Sequence, residues 1–420
     1  MTKQALLGWR DGLRYGGMGF ALAFVALPLY VILPNHYART FGVPLATLGL
    51  VLLAARLFDA VIDPLLGRWG DGLFGRAQRQ VLQWAGLAAV ALVGGFTLLM
   101  FPPALAPNTL VLWALVFLVV TYTGYSAVSI LHQSWGARLG GGDLAQSRIV
   151  AWREGLALIG VVFASISPVT LGLPATAALF FVATVLGLWA WSAAPQPAAP
   201  AKNNANPQVS LWHPLQQPQF RALLGVFMVN GIASAIPATL ILFFVQDRLQ
   251  APAAMEPVFL GAYFVCAALA MPLWLKLVDS MGLAKTWAYG MLLSVAVFVF
   301  ASQLGAGDAV AFILVCALSG VALGTDLALP GALLAGIIQK LGDGGQAEGA
   351  YFGWWNFATK LNLALAAGIS LPALAWLGYV PGARDAAALD TLTWAYCLLP
   401  CGLKLAATAL LYFFFLRKTP

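Results

Sequence analysis

Charge is the scarcest thing in this sequence. Asp, Glu, Lys and Arg make up 9% of the 420 residues, where a soluble globular domain carries roughly 25%. With 61% hydrophobic residues and a mean hydropathy of +0.86, too little polar side chain is left to cover a water-facing surface. A soluble protein is excluded. Histidine is nearly absent: His36, His132 and His213 stand far apart, so a membrane-embedded lipid-modifying enzyme would lack the clustered ligands its metal needs. The cysteines (Cys266, Cys316, Cys397, Cys401) all lie in apolar runs. Cys397 and Cys401 share a helix face, but no further cysteine or histidine joins them, which leaves them as small core-packing residues. There is no GxxxxGK[ST] phosphate loop, which argues against direct ATP drive. The N-terminal segment has bases (Lys3, Arg10, Arg14) but no short apolar run with a small-residue cleavage site, so the first apolar run is expected to be retained as a membrane helix. The net charge of +7 forms no basic stripe interleaved with aromatics, and nucleic acid is not expected as a partner.

What the sequence has in quantity is apolar runs of membrane-spanning length. About 20 apolar residues cross a bilayer as a helix. Twelve such runs occur, at roughly 17–35, 43–66, 80–101, 108–134, 148–170, 174–194, 220–246, 256–278, 286–304, 309–336, 351–377 and 390–415. Their continuity excludes a β-barrel, whose strands alternate over about ten residues. One clearly polar connector, 195–219, is rich in proline and asparagine. It divides an N-terminal six-helix bundle (1–194) from a C-terminal one (220–420). The expected fold class is an all-α membrane protein of twelve transmembrane helices in two six-helix bundles.

Bases set the orientation. With both termini cytoplasmic, the inside segments collect Lys3, Arg10, Arg14, Arg68, Arg76, Arg79, Arg138, Arg148, Arg153, Lys202, Arg221, Lys276, Lys285, Lys340, Arg417 and Lys418. The outside loops hold only Arg39, Arg248 and Arg384. The two halves also look related. "DPLLGRWGDGLFGR" follows the second run and "MPLWLKLVDSMGLAK" the eighth, each with proline seven residues before aspartate (Pro64 to Asp71, Pro272 to Asp279). A parallel six-helix repeat is the signature of the major facilitator architecture. The first copy carries Gly67, Asp71, Gly75 and Arg76 in a "GxxxD…GR" pattern that resembles the major facilitator loop between helices two and three. There the aspartate and bases would clamp the cytoplasmic ends of neighbouring helices and bias the inward/outward equilibrium.

Few charges fall inside the apolar runs, so each needs a reason: an ionised group at the bilayer centre costs about 2.5–3.5 kcal/mol on insertion scales. Arg56, Asp59 and Asp63 are spaced i, i+3 and i+7 and therefore share one helix face. The corresponding stretch of the second half has Ala267 and Met271 where the first has Asp59 and Asp63. The helix can be built without those charges. Two carboxylates one turn apart with a guanidinium nearby would suit a hard monovalent cation or a held proton, whereas a single Arg56–Asp salt bridge would leave the second aspartate uncompensated.

"ARLFDAVIDPLLG" resembles helix two of the glycoside-pentoside-hexuronide:cation symporters, the melibiose permease-like branch of the major facilitators. The passage "EGAYFGWWNFATKLNLALAAGISLPALAWLGYVPG", 348–382, is similar to that family's helix eleven, with Lys360 at its intramembrane lysine. "SWGARLGGGDLAQSRIVAWREG", 134–155, places Arg153 at its helix-five substrate arginine, and "GTDLALPGALLA", 324–335, resembles helix ten of some bacterial members. The resemblance implies Na⁺ or H⁺ bound at Asp59 and Asp63. It also departs from the pattern: the galactoside-binding positions fall on Ala23, Ser129 and Gln133, and the glutamate of "GAE" is Arg138. Melibiose is not carried over.

His132 would either hydrogen-bond a solute or pack in the core. Asp326 would serve the solute or pair with Lys360 or Arg153. Lys360 would pair with Asp59 or Asp63 or, with Arg153, hold an acidic solute. Lys404, taken to lie near the end of its span, is expected to snorkel. Trp354 and Trp355 are expected as interfacial anchors, Asn230 and Asn356 as helix-to-helix glue. The resulting expectation is a monomeric secondary transporter of the bacterial cytoplasmic membrane, among membrane lipids. It would carry a sugar, glycoside, uronate or similar small organic solute with Na⁺ or H⁺ as coupling ion and no cofactor. A lysolipid transporter of the same fold is the alternative.

Overall fold

In hydrocarbon a backbone N–H or C=O has no water to bond, so apolar runs of this length close their hydrogen bonds internally as helices. The computed structural model describes residues 7–197, 210–380 and 382–417, and all regular structure among them is helical. Lys3, Lys202, Lys418 and residues 198–209 of the connector lie outside the described residues.

The first helix, α1, covers Trp9–Leu27 and continues through a π-helical turn, Pro28–Ile32, into Leu33–Thr40. There follow α2 (Leu45–Phe74), α3 (Gln78–Met100), α4 (Pro107–Arg138), α5 (Asp143–Thr170) and α6 (Gly172–Ser192). The second half has α7 (Pro218–Phe243), α8 (Glu256–Met281), α9 (Leu283–Ala301), α10 (Ala309–Lys340) and α11 (Glu348–Trp376). The last, α12, runs Ala386–Thr393, a π turn Trp394–Leu398, then Leu399–Leu411. Among the described residues, ten helices are long and apolar enough to cross a membrane; α1 and α2 fall on the two remaining expected spans.

The chain forms two compact units, Met1–Pro214 with Ala335–Phe357 and Leu215–Leu334 with Ala358–Pro420. In the first, α1 packs on α5 and α6. A Cβ on Gly16 would strike the Trp152 carbonyl and one on Gly19 the Arg153 carbonyl. Backbone therefore meets backbone, as small residues allow between membrane helices, and α5 is fixed at Arg153. Tyr15, Phe24, Phe96, Trp135, Phe180 and Trp191 fill the core around this crossing. In the second unit α12 packs on α7 and α9, over a core that includes Phe244, Phe259, Phe312 and Tyr396.

On α2, Leu50, Leu53, Leu57, Val61 and Leu65 are exposed at i, i+3/i+4 spacing, an apolar stripe suited to lipid. Asp59 and Asp63 lie on the opposite side and are buried. The helix continues to Phe74, beyond the expected end at 66, because its C-terminal end has a packing partner in the first turns of α11. Gly67 and Asp71 are thus helical residues, and of the expected loop pattern only Gly75 and Arg76 lie past the helix end.

Candidate functional site

Asp59 and Asp63 stand one turn apart at 3% and 0% exposure. The Ser126 hydroxyl of α4 donates to Asp59 Oδ1 at 2.8 Å. Its neighbours on α4 are drawn into the same field: Arg56 and Asp59 act on the Tyr122 hydroxyl, and Asp59, Asp63, Arg153 and Glu154 all act on Tyr125. Helices α2, α4 and α5 therefore bring the expected acids and Arg153 to one region of the first unit. Arg56 shares the acidic face but is itself exposed. Two carboxylates buried side by side are unfavourable when both are ionised, and a monovalent cation or a proton relieves that repulsion.

Arg153 does not stand alone. Its Nε donates to Glu154 Oε1 at 2.9 Å, and it also reaches the Tyr15 hydroxyl. Tyr15 in turn donates to the His132 carbonyl at 3.0 Å. The His132 ring stacks on Tyr15 with centroids 4.3 Å apart, meets Trp191 edge-on at 4.9 Å, and places Nε2 2.8 Å from the Tyr15 carbonyl. It is fully buried. It ties α4 to α1.

Around the C-terminal end of α2, the first unit holds a denser charge cluster than the sequence pattern indicates. Asp71 Oδ1 accepts from the Gly349 N–H at 2.7 Å, Asp71 Oδ2 from the Ala350 N–H at 2.8 Å. These are the free amides of the first turn of α11, where a helix favours an anion. Arg138 completes the cluster: Nη2 lies 2.7 Å from Asp71 Oδ1 and 3.0 Å from Glu348 Oε2, and Nη1 donates to the Gly345 carbonyl at 2.9 Å. Its guanidinium also lies 4.1 Å from the Phe74 ring centroid. The expected base, Arg76, is exposed beyond the end of α2, and the base that meets Asp71 is Arg138. Contact this close needs glycine on both helices, since a Cβ on Gly67 would strike the Gly349 carbonyl and one on Gly349 the Gly67 carbonyl. Gly75 caps α2 where an added Cβ would meet only ordinary contacts, the nearest at 3.6 Å. Trp354 anchors to the connector, its Nε1 donating to the Leu211 carbonyl at 2.9 Å.

A polar network centred on Asp326 lies deep in the core of the second unit. Asp326 Oδ1 accepts from Asn230 Nδ2 at 2.9 Å and Trp287 Nε1 at 2.8 Å. Its Oδ2 accepts from Ser234 at 3.2 Å and Lys404 Nζ at 2.8 Å. Lys404 Nζ also donates to Asn230 Oδ1 at 2.9 Å. The expectation that Lys404 snorkels is corrected: it is 6% exposed and sits near the middle of the span Ala386–Leu416, too deep for its stem to reach water. Asp326 takes its cation from Lys404, and Asn230 does act as glue. Lys360 lies half-buried on α11 within this unit. Glu348 and Ser126 were not singled out from the sequence. Glu348 could have been found as the acid opening a helical run, whereas nothing marks Ser126.

The comparisons accord with this arrangement. A family model described as MFS/sugar transport protein matches residues 13–418. The uncharacterized symporter YjmB of Bacillus subtilis (strain 168) is 23% identical over 405 residues, covering 91% of this chain and 86% of that one. Among solved structures, a bacterial homologue of the iron transporter ferroportin, outward-facing with soaked iron, matches with a TM-score of 0.69 at 16% identity, covering 97% of this chain and 99% of that one. The fucose:proton symporter FucP of E. coli matches with a TM-score of 0.67 at 16% identity, covering 96% and 98%. At these identities the structural likeness is one of fold.

Proposed function

Because the chain belongs to the MFS/sugar transport protein family, and is therefore a multi-pass membrane transporter and not an enzyme, we propose that it is a cation-coupled symporter. Its cargo is a sugar, glycoside, uronate or similar small organic solute, and its driving ion is Na⁺ or H⁺ held at Asp59 and Asp63. It works as a monomer in the bacterial cytoplasmic membrane, with both termini inside and the Asp71–Arg138 cluster biasing the inward/outward equilibrium.

The observation that carries the reading is the pair of buried carboxyl groups, one turn apart, with Ser126 bonded to one of them. Two carboxylates this close repel when both are ionised, and a bound cation or proton relieves that repulsion, so occupancy of the site is linked to the conformation that buries it. Coupling follows if only the ion-loaded protein closes around solute. In proteoliposomes with an imposed Na⁺ or H⁺ gradient, Asp63→Asn is expected to abolish uphill solute accumulation while solute exchange down its own gradient survives. Undiminished ion-driven accumulation by that variant would sink the assignment.

A further inference from the structure

Where α7, α9 and α11 end and α12 begins, the second unit carries a groove of about 670 Å³. Small-molecule sites usually measure about 300–1,000 Å³. Part of its lining is charged or polar, with Arg248, Asp390, Thr391 and Thr393. Leu377, Trp394 and Leu398 line it too, and all three are exposed. Arg248 is the last residue of the span Pro218–Arg248. The groove therefore lies where the hydrocarbon of a bilayer gives way to headgroups, the level at which tryptophan collects.

Arg248 is held in place by its Nε, which donates to the Leu304 carbonyl at 3.0 Å. Its Nη1 stops 3.7 Å from Asp390 Oδ1, beyond hydrogen-bond distance, and the Asp390 side chain is 76% exposed. The two charges thus stand side by side without closing on each other, and both keep hydrogen-bonding capacity for a guest. Thr391 and Thr393 commit their hydroxyl protons to the Ala387 and Leu389 carbonyls, so what each offers the groove is an acceptor oxygen. An anion here would be drawn to Arg248 and repelled by Asp390, and a cation the reverse. A zwitterion satisfies both. Its positive end meets Asp390 and the two threonine oxygens, all acceptors, which calls for a cation with N–H donors. A primary ammonium has three; a quaternary one has none.

We propose that this groove binds one phospholipid of the ethanolamine class from the surrounding bilayer. Its phosphate sits on Arg248, its ammonium on Asp390, and its acyl chain runs over Leu377, Trp394 and Leu398. A free zwitterion such as phosphoethanolamine carries the same charges, but it has no chain to cover that exposed apolar side. The site is separate from Asp59 and Asp63, which lie in the other unit, and it stands whether or not those residues hold a coupling ion.

The test uses the full-length protein, purified in detergent and delipidated, with three dioleoyl probes that differ only in headgroup: phosphatidylethanolamine, phosphatidylcholine and phosphatidylglycerol. Native mass spectrometry is expected to find phosphatidylethanolamine bound roughly fivefold tighter than either of the others, the worth of one exposed charge pair. Asp390→Asn removes the partner of the ammonium. Because that side chain is largely in solvent, the fold should tolerate the change, and the variant is expected to lose the preference over phosphatidylcholine while binding phosphatidylglycerol more tightly than wild type does. Arg248→Ala is expected to weaken all three lipids, since each presents a phosphate. Phosphoethanolamine added in large molar excess is expected to leave the bound lipid in place. Equal affinity for the three lipids, or an ethanolamine preference that survives Asp390→Asn, overturns the proposal. Ready displacement by phosphoethanolamine overturns it too, because the groove would then take a soluble zwitterion and not a lipid.

Discussion

The behaviour of Lys404 shows what a single side chain does when burial leaves it no alternative. Its ammonium meets Asp326 at 2.8 Å with 6% of the residue exposed, and each partner's charge is tolerable only because the other is present. Removing one partner of a buried pair costs about 3–5 kcal/mol, whereas replacing both with apolar groups is often neutral. Lys404→Met is therefore expected to lower stability by about 3–5 kcal/mol, read as a fall in the thermal unfolding temperature in detergent. Adding Asp326→Leu to it is expected to recover most of the loss. A double variant no more stable than Lys404→Met would show that the pair is not a closed unit. Asp59 and Asp63 are arranged differently, as two buried carboxyl groups one turn apart on the same helix.

Helices were legible from the sequence to the extent that their determinants are local. Apolar length marks a span, and a 3.6-residue period puts Asp59 and Asp63 on one face of α2, opposite Leu50, Leu57 and Val61. The contacts between helices were not legible, because they join residues far apart in sequence. Arg138 reads as a departure from a family motif until Asp71 and Glu348 are seen on either side of it. Lys404 reads as a snorkelling residue until Asn230 and Asp326 are seen around it. The crossing of α2 with α11 is the clearest case, since Gly349 has no signature that separates it from the chain's many other glycines. Gly349→Leu is expected to force the two helices apart and to destabilise the protein by about 1–3 kcal/mol or more. Gly75→Ala, at an ordinary φ of −65° with its nearest neighbours 3.6 Å away, is expected to change the unfolding temperature little. Comparable losses from both would mean that close approach is not what glycine provides at 349.

At the scale of the molecule, the division into units does not follow the sequence. Residues 335–357 belong to the first unit although the segments on either side of them belong to the second. Something must hold that stretch to a unit it meets only in space. The structure offers the Asp71 carboxylate on the Gly349 and Ala350 amides, the Arg138 bridge to Glu348, and His213 at 2.9 Å from Asp343. Hydrogen bonds to a charged group are worth about 1.5–3 kcal/mol each, so Asp71, with its two amide bonds, is a major tie. Hydrogen exchange tests this directly, because the amides concerned are the reporters. In Asp71→Ala, exchange at Gly349 and Ala350 is expected to accelerate at least tenfold, while Phe244 and Val245, buried in the core of the second unit, keep their wild-type rates. Acceleration spread evenly over both units would mean that Asp71 supports the fold as a whole. Unchanged rates at Gly349 and Ala350 would mean that the glycine crossing alone holds residues 335–357 in place.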